Sequence, residues 1–223
     1  SPVDIVEPAI GETLPLEAEN RKRYFKEYIK SLYHSGSAYH DLIINTWDET
    51  VFALHMKEGI PDQLHSPNLS NEFKHANLSH QFFVRCWQAD NKTGIPLDES
   101  NLLETPSTGV EEGVYRLYWV GKSAFSLYWI LSGYGQKDTP ESLVWREKAE
   151  HFLSAALKLP WSAQKQRQKK DFIAEFLARV YISKNQPQES IRILTQQQMR
   201  NPDPFIRQTQ SLALLMLGRW IEA

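Results

Sequence analysis

Six of the seven histidines fall between residues 34 and 80: His34, His40, His55, His65, His75 and His80. His40 and Asp41 are neighbours, and adjacent His and Asp side chains can share a divalent ion and polarise a water for hydrolysis. A helical hydrolase site of that kind needs a further His well upstream and an Asp far downstream. His34 is too close, and Asp48 is a poor substitute. His75 and His80 lie five apart, off the i, i+4 spacing that places two metal ligands on one helical face. Gly121-Lys122-Ser123 has the order that ends a phosphate-cradling loop. That loop needs another Gly five residues before Gly121, where Arg116 stands, and Tyr118, Trp119 and Val120 would crowd its amides. The nucleophile-elbow pattern, His-Glu-x-x-His and the dinucleotide-binding Gly pattern are absent, and His151 stands alone. No catalytic residue and no cofactor is therefore expected. Metal-dependent hydrolysis through His40 and Asp41 is kept as an alternative.

Two further features bear on partners. Lys165, Arg167, Lys169 and Lys170 form a basic run that suits an acidic partner, RNA or another anionic polymer, and equally a solvated connector. Asn68, Asn77 and Asn91 each begin an Asn-x-Ser/Thr sequon. The single cysteine, Cys86, excludes a disulfide framework and a thiolate-rich zinc site within one chain, and it favours a cytoplasmic setting.

These residues sit on a chain of 223 with 41% hydrophobic and 23% charged residues, which excludes wholesale disorder and a coiled-coil rod. No apolar run is long enough to span a bilayer. The net charge of −2 hides an asymmetry: residues 1–112 hold 9 basic and 18 acidic side chains, and residues 113–223 hold 16 and 9. A net of +7 over the second half is too dilute to indicate nucleic acid.

Periodicity places the elements. Residues 1–17, broken by Pro2, Pro8, Gly11 and Pro15, read as an extended lead-in. A helix is expected from Ala18 to His34, with Tyr24, Phe25, Tyr28, Ile29, Leu32 and Tyr33 inward and Gly36 as its stop. A second runs from Ser37 to Lys57 with Leu42 and Ile43 inward, and a third from Asn71 to Ala89. Residues 90–112 form a long Pro- and Gly-marked loop and a domain boundary. Val114–Gly133 is apolar on every side, the mark of a central helix. Thr139-Pro140-Glu141 opens a helix that continues through Ser142–Leu159, followed by Asp171–Lys184, Gln188–Met199 and a last apolar run from Phe205 that lacks a capping Gly. The fold class is all-α: an N-terminal helical region over 18–112 and a repeat region over 113–223, read as part of a longer protein.

Within that second region Ala178, Tyr181, Ser190, Leu194 and Pro202 follow one another at offsets of 3, 12, 16 and 24. Small residues at Ala178 and Ser190 let two helices approach, Tyr181 and Leu194 fill the space beside them, and Pro202 breaks the chain. Ala149, Leu153 and Ala156 before Pro160 partly repeat the pattern, as does Leu217-Gly218-Arg219-Trp220-Ile221-Glu222-Ala223, one residue out of register. The spacing resembles the tetratricopeptide repeat, a 34-residue helix–turn–helix unit, over residues 114–223.

The resemblance implies an α-solenoid fragment whose groove takes a peptide or partner helix. It implies groove positions at Phe172, Glu175, Arg179 and Ile182. Relatives that clamp a terminal carboxylate carry Lys and Asn there, so Glu175 and Arg179 speak against that recognition. The expectation is a cytoplasmic scaffold module with a protein partner, no membrane span and no nucleic acid, its oligomeric state open.

Overall fold

In the computed structural model, which describes residues 18–55, 67–90, 110–159, 167–196, 204–219 and 221–222, every regular element is helical. The lead-in, most of the loop at 90–112, Lys165 and Pro202 lie outside the described residues. No helix among those described is long and apolar enough to cross a membrane.

The first helix, α1, spans Ala18–His55 without a break, so the two helices expected here are one. Gly36 is not a stop. A Cβ on it would come 2.9 Å from the ring of Phe83, and its carbonyl accepts a hydrogen bond from Ser79 Oγ at 2.8 Å. The missing side chain lets the next helix, α2 (Pro67–Asp90), lie close, which offsets the roughly 0.5–1 kcal/mol that a mid-helix Gly costs. The buried stripe of α1 is Ile29, Leu32, Gly36 and His40. At about 100° per residue, Tyr24 and Leu42 fall well off that stripe. Both were expected inside, and they are 65% and 51% exposed.

α2 begins four residues earlier than Asn71, with Pro67 in the first turn, where a missing N–H is harmless. It buries residues in two directions. Cys86 packs with Ile29 and Leu32 of α1, whereas Phe83 and Trp87 join the main core. That core continues into α3 (Val110–Leu131), whose Leu117, Tyr118, Val120, Ala124, Phe125, Leu127, Tyr128 and Ile130 are all buried. As its all-round apolar sequence predicts, α3 is the central helix, with α2, α4 and α5 against it.

A π-helical turn, Ser132–Gln136, and a left-handed Asp138 (φ 66°) carry the chain into α4, Pro140–Lys158. Thr139 caps α4: its Oγ1 accepts from Ser142 N at 3.3 Å and donates to Gln136 O at 3.1 Å. α4 presses closely on α3. A Cβ at Gly121 would lie 2.7 Å from Leu153 Cγ and 3.1 Å from its backbone N. Backbone cannot swing aside, so Gly121→Ala is expected to destabilise by about 1–2 kcal/mol despite Ala's better helix propensity. A lowered urea midpoint with an unchanged m-value checks this.

α5 (Arg167–Ser183), α6 (Pro187–Gln196) and α7 (Pro204–Met216) complete the array. Ala178 of α5, Leu194 of α6 and Ile206 of α7 form one buried cluster, and Ser190 is fully buried beside them. α5 and α7 end alike. Gln186 N donates to Tyr181 O and Asn185 N to Ile182 O, around a left-handed Asn185 (φ 58°). Arg219 N donates to Leu214 O and Gly218 N to Leu215 O, around Gly218 (φ 72°). Each is a Schellman termination. The last helix therefore does have its glycine, and it stops at Met216 instead of running on toward Ala223.

Each helix packs on the next in chain order, and α3 also touches α5, as α5 touches α7. The odd-numbered helices thus follow one another directly. Their succession positions the site described next.

Candidate functional site

The positions expected to line a groove do not share one environment. Phe172 and Ile182 are half-buried, and Phe172 packs against the main core. Glu175 is only 2% exposed, so its carboxylate is turned inward instead of facing a groove. It accepts a hydrogen bond from Thr209 Oγ1 of α7 at 2.7 Å and is paired with Arg179 one turn on. Burial pushes the Glu175 carboxyl above its usual range, and Arg179 and Thr209 hold it back. Arg179 keeps a third of its side chain exposed. Of the basic run, Lys170 is half-buried, and Arg167 and Lys169 belong to the first turn of α5. α5 begins at Arg167 and not Asp171, so most of the expected connector is helix.

Around Arg179 the structure gathers residues that the spacing did not single out. Lys122 Nζ of α3 lies 4.5 Å from the ring centroid of Trp119 and 5.2 Å from that of Phe176 on α5. The Arg179 guanidinium sits over the same Phe176 ring at 5.3 Å. Aromatic faces attract cations with about 0.5–2 kcal/mol each. Lys122 makes no hydrogen bond or ion pair through its ammonium among the described residues, and Arg179 and Thr209 both donate to Glu175 Oε1. Burial lowers its pKa to about 8, with Glu175 acting against the shift and Arg179 adding to it.

His40 completes the group from α1. Its ring meets Trp119 edge-on, 5.3 Å between centroids, and it is 3% exposed. Neither ring nitrogen has a hydrogen-bond partner among the described residues. Burial first, and the nearby Lys122 charge second, lower its pKa to about 3. Asp41, one residue on, is exposed, so the two side chains of the expected metal pair point to different sides of α1. Among the described residues no three His, Cys, Asp or Glu side chains form a metal-holding group.

One other arrangement has the look of a reactive pair. His80 Nδ1 and Ser123 Oγ are 2.9 Å apart, both buried. Ser123 Oγ also donates to Val120 O at 3.0 Å, and with the serine proton placed there the hydroxyl accepts from the His80 ring. Ser123 is thus a mid-helix anchor for His80 and no part of a phosphate loop. Cys86, with its thiol pushed up to about 12 by burial, donates to Ile29 O at 3.5 Å and is inert.

The site that emerges is a cationic and aromatic group on α3 and α5, backed by α1 and pinned to α7 through Thr209. Trp119, Lys122, Phe176 and Thr209 were missed by the spacing. Two signals were available: a lysine one turn after a tryptophan in an otherwise apolar helix, and Thr209 lying 34 residues after Glu175. Comparison with protein-family models, curated proteins and solved structures finds no match to this chain.

Proposed function

We propose that this chain is a tetratricopeptide-like, non-catalytic interaction module of a larger cytoplasmic assembly, holding a partner polypeptide along α3, α5 and α7. One observation carries the reading: the odd-numbered helices contact each other in succession, and they bring Trp119, Lys122, Phe176, Arg179 and Thr209 together. In a stack of helical hairpins the first helix of each unit forms a continuous recognition wall. The buried Ala178, Ser190, Leu194 and Ile206 and the matched Schellman ends of α5 and α7 fit such a stack. Half-buried aromatics beside a partly exposed Arg are the chemistry enriched where binding energy concentrates. Cys86 as the one cysteine, buried and unpaired, suits a reducing compartment.

A photo-crosslinking amino acid placed at Arg179, at half-buried Phe172, or at exposed Val144 of α4 tests this in cells of the source organism. Crosslinks to one partner are expected from positions 179 and 172 and not from 144. Equal labelling from all three, or none from any, would refute the reading.

A further inference from the structure

We propose that residues 1–17 fold back as an extended strap along the outer seam between α1 and α2. That seam is aromatic. Tyr39 of α1 stacks on Phe82 of α2, 5.8 Å between ring centroids, and the His75 ring lies 6.0 Å from that of Tyr39. His75 and Phe82 are seven residues apart and so share one face of α2, while Tyr28 and Tyr39, eleven apart, share one edge of α1. All four are half-buried, and Tyr24, one turn before Tyr28, is 65% exposed. On the other edge of α1, Tyr33 and His40 meet Trp119 of α3. The seam therefore lies away from the wall of α3, α5 and α7, and the inference does not depend on that wall.

The chain itself supplies the occupant. Residues 1–17 lead directly into α1 at Ala18, and Pro2, Pro8 and Pro15 disfavour helix there. Aromatic-lined grooves take extended, proline-marked chain because it has little conformational freedom left to lose on docking. Val3, Ile5, Val6, Ile10, Leu14 and Leu16 bring apolar side chains to the gaps between rings. Charge agrees. The segment carries Asp4, Glu7, Glu12 and Glu17 and no Lys or Arg, and exposed Lys74 and Arg85 border the α2 side of the seam. A short tether also holds the segment near the seam at an effective concentration of about millimolar, so contacts too weak to retain a free peptide suffice.

Reach sets the register. Extended chain advances about 3.1 Å per residue, against about 1.5 Å per residue of helix. With about two residues spent on the reversal before Ala18, a strap antiparallel to α1 brings Ile10 abreast of Tyr28 and Ile5 abreast of Tyr39.

The test places the photo-crosslinker p-benzoylphenylalanine at Ile5 or Ile10 of the whole chain, one position at a time, which leaves the described helices unaltered. Equal amounts of nitrogen-15-labelled and unlabelled chains are mixed, irradiated in dilute solution and mapped by mass spectrometry. Crosslinks within one chain are expected, from position 10 around Tyr28 and from position 5 around Tyr39 and His75. Their yield at low salt should fall at least about threefold when Lys74→Glu and Arg85→Glu, both on exposed residues, are combined. The crosslinker at exposed Val144 of α4 should give no product with residues 1–17. Absence of seam crosslinks, the reverse order along α1, or equal capture from position 144 overturns the proposal. So does a yield unchanged by the two charge reversals. Products joining labelled to unlabelled chains would give the seam to a second copy, and crosslinks to Trp119 or Phe176 would put the segment in the α3–α5 wall; either result overturns the strap.

Discussion

Acidification from pH 7 to pH 4 is expected to remove about 3 kcal/mol of stability through His80 and a similar amount through His40, together comparable with the whole stability of a domain at the low end of the usual range. The cause is burial. His80 lies against Trp145 and Ser123, and desolvation, with Lys148 nearby, brings its pKa to about 4. His40 lies against Trp119, and desolvation with the Lys122 charge brings it to about 3. In the unfolded chain each returns to the usual value near 6.5. Between pH 6.5 and 4 the unfolded chain therefore binds protons that the fold refuses, and stability falls as pH falls. Above pH 6.5 the contribution is complete. Glu175 acts in the opposite sense, because its raised carboxyl takes up a proton in the fold first, and it softens the loss. Urea midpoints at pH 7 and 4.5 measure the slope. His40→Phe keeps the edge-on contact with Trp119 and removes two unsatisfied nitrogens, so it should be at least as stable at pH 7 and cut the acid loss by about half. A His40→Phe protein with the same pH slope as the parent would show that His40 is solvated in solution.

The all-α class and the centrality of α3 were legible because apolar residues on every side of one segment admit no other placement. The caps were legible as local chemistry: Thr139 and Pro140 open α4 as their types demand. Punctuation by glycine was ambiguous in a way only packing resolves. Gly36 and Gly218 look alike in sequence, yet one lies in mid-helix against Phe83 and the other ends α7 at positive φ. The first is a close approach between helices, a property of two distant segments that no window of sequence contains.

The site divides along the same line. The resemblance pointed to Arg179, whereas the inward turn of Glu175 goes with its hydrogen bond from Thr209 of α7. Lys122 was weighed only as the end of a phosphate loop, because a lysine in an apolar helix carries no sign of what surrounds it. Its meaning comes from Phe176, 54 positions later, and from the competition of Arg179 for Glu175.

Asp90→Ala is expected to cost about 3–5 kcal/mol. Asp90 is the last residue of α2, its side chain is 0% exposed, and its Oδ2 lies 2.7 Å from Nη1 of Arg116, which is 11% exposed. The pair ties the end of α2 to α3, with Cys86 and fully buried Trp87 of α2 alongside. Attraction between two buried charges does little more than repay their desolvation, so the net worth of the intact pair is small. Removing one partner is different, because the desolvation of Arg116 remains while the Asp90 carboxylate beside it is lost. The same argument predicts that Asp90→Leu with Arg116→Met restores most of the loss, and a double-mutant cycle on urea midpoints measures that recovery as a coupling of several kcal/mol. If the single substitution costs under about 1 kcal/mol, water reaches Arg116 in solution and the two helices are not clamped there.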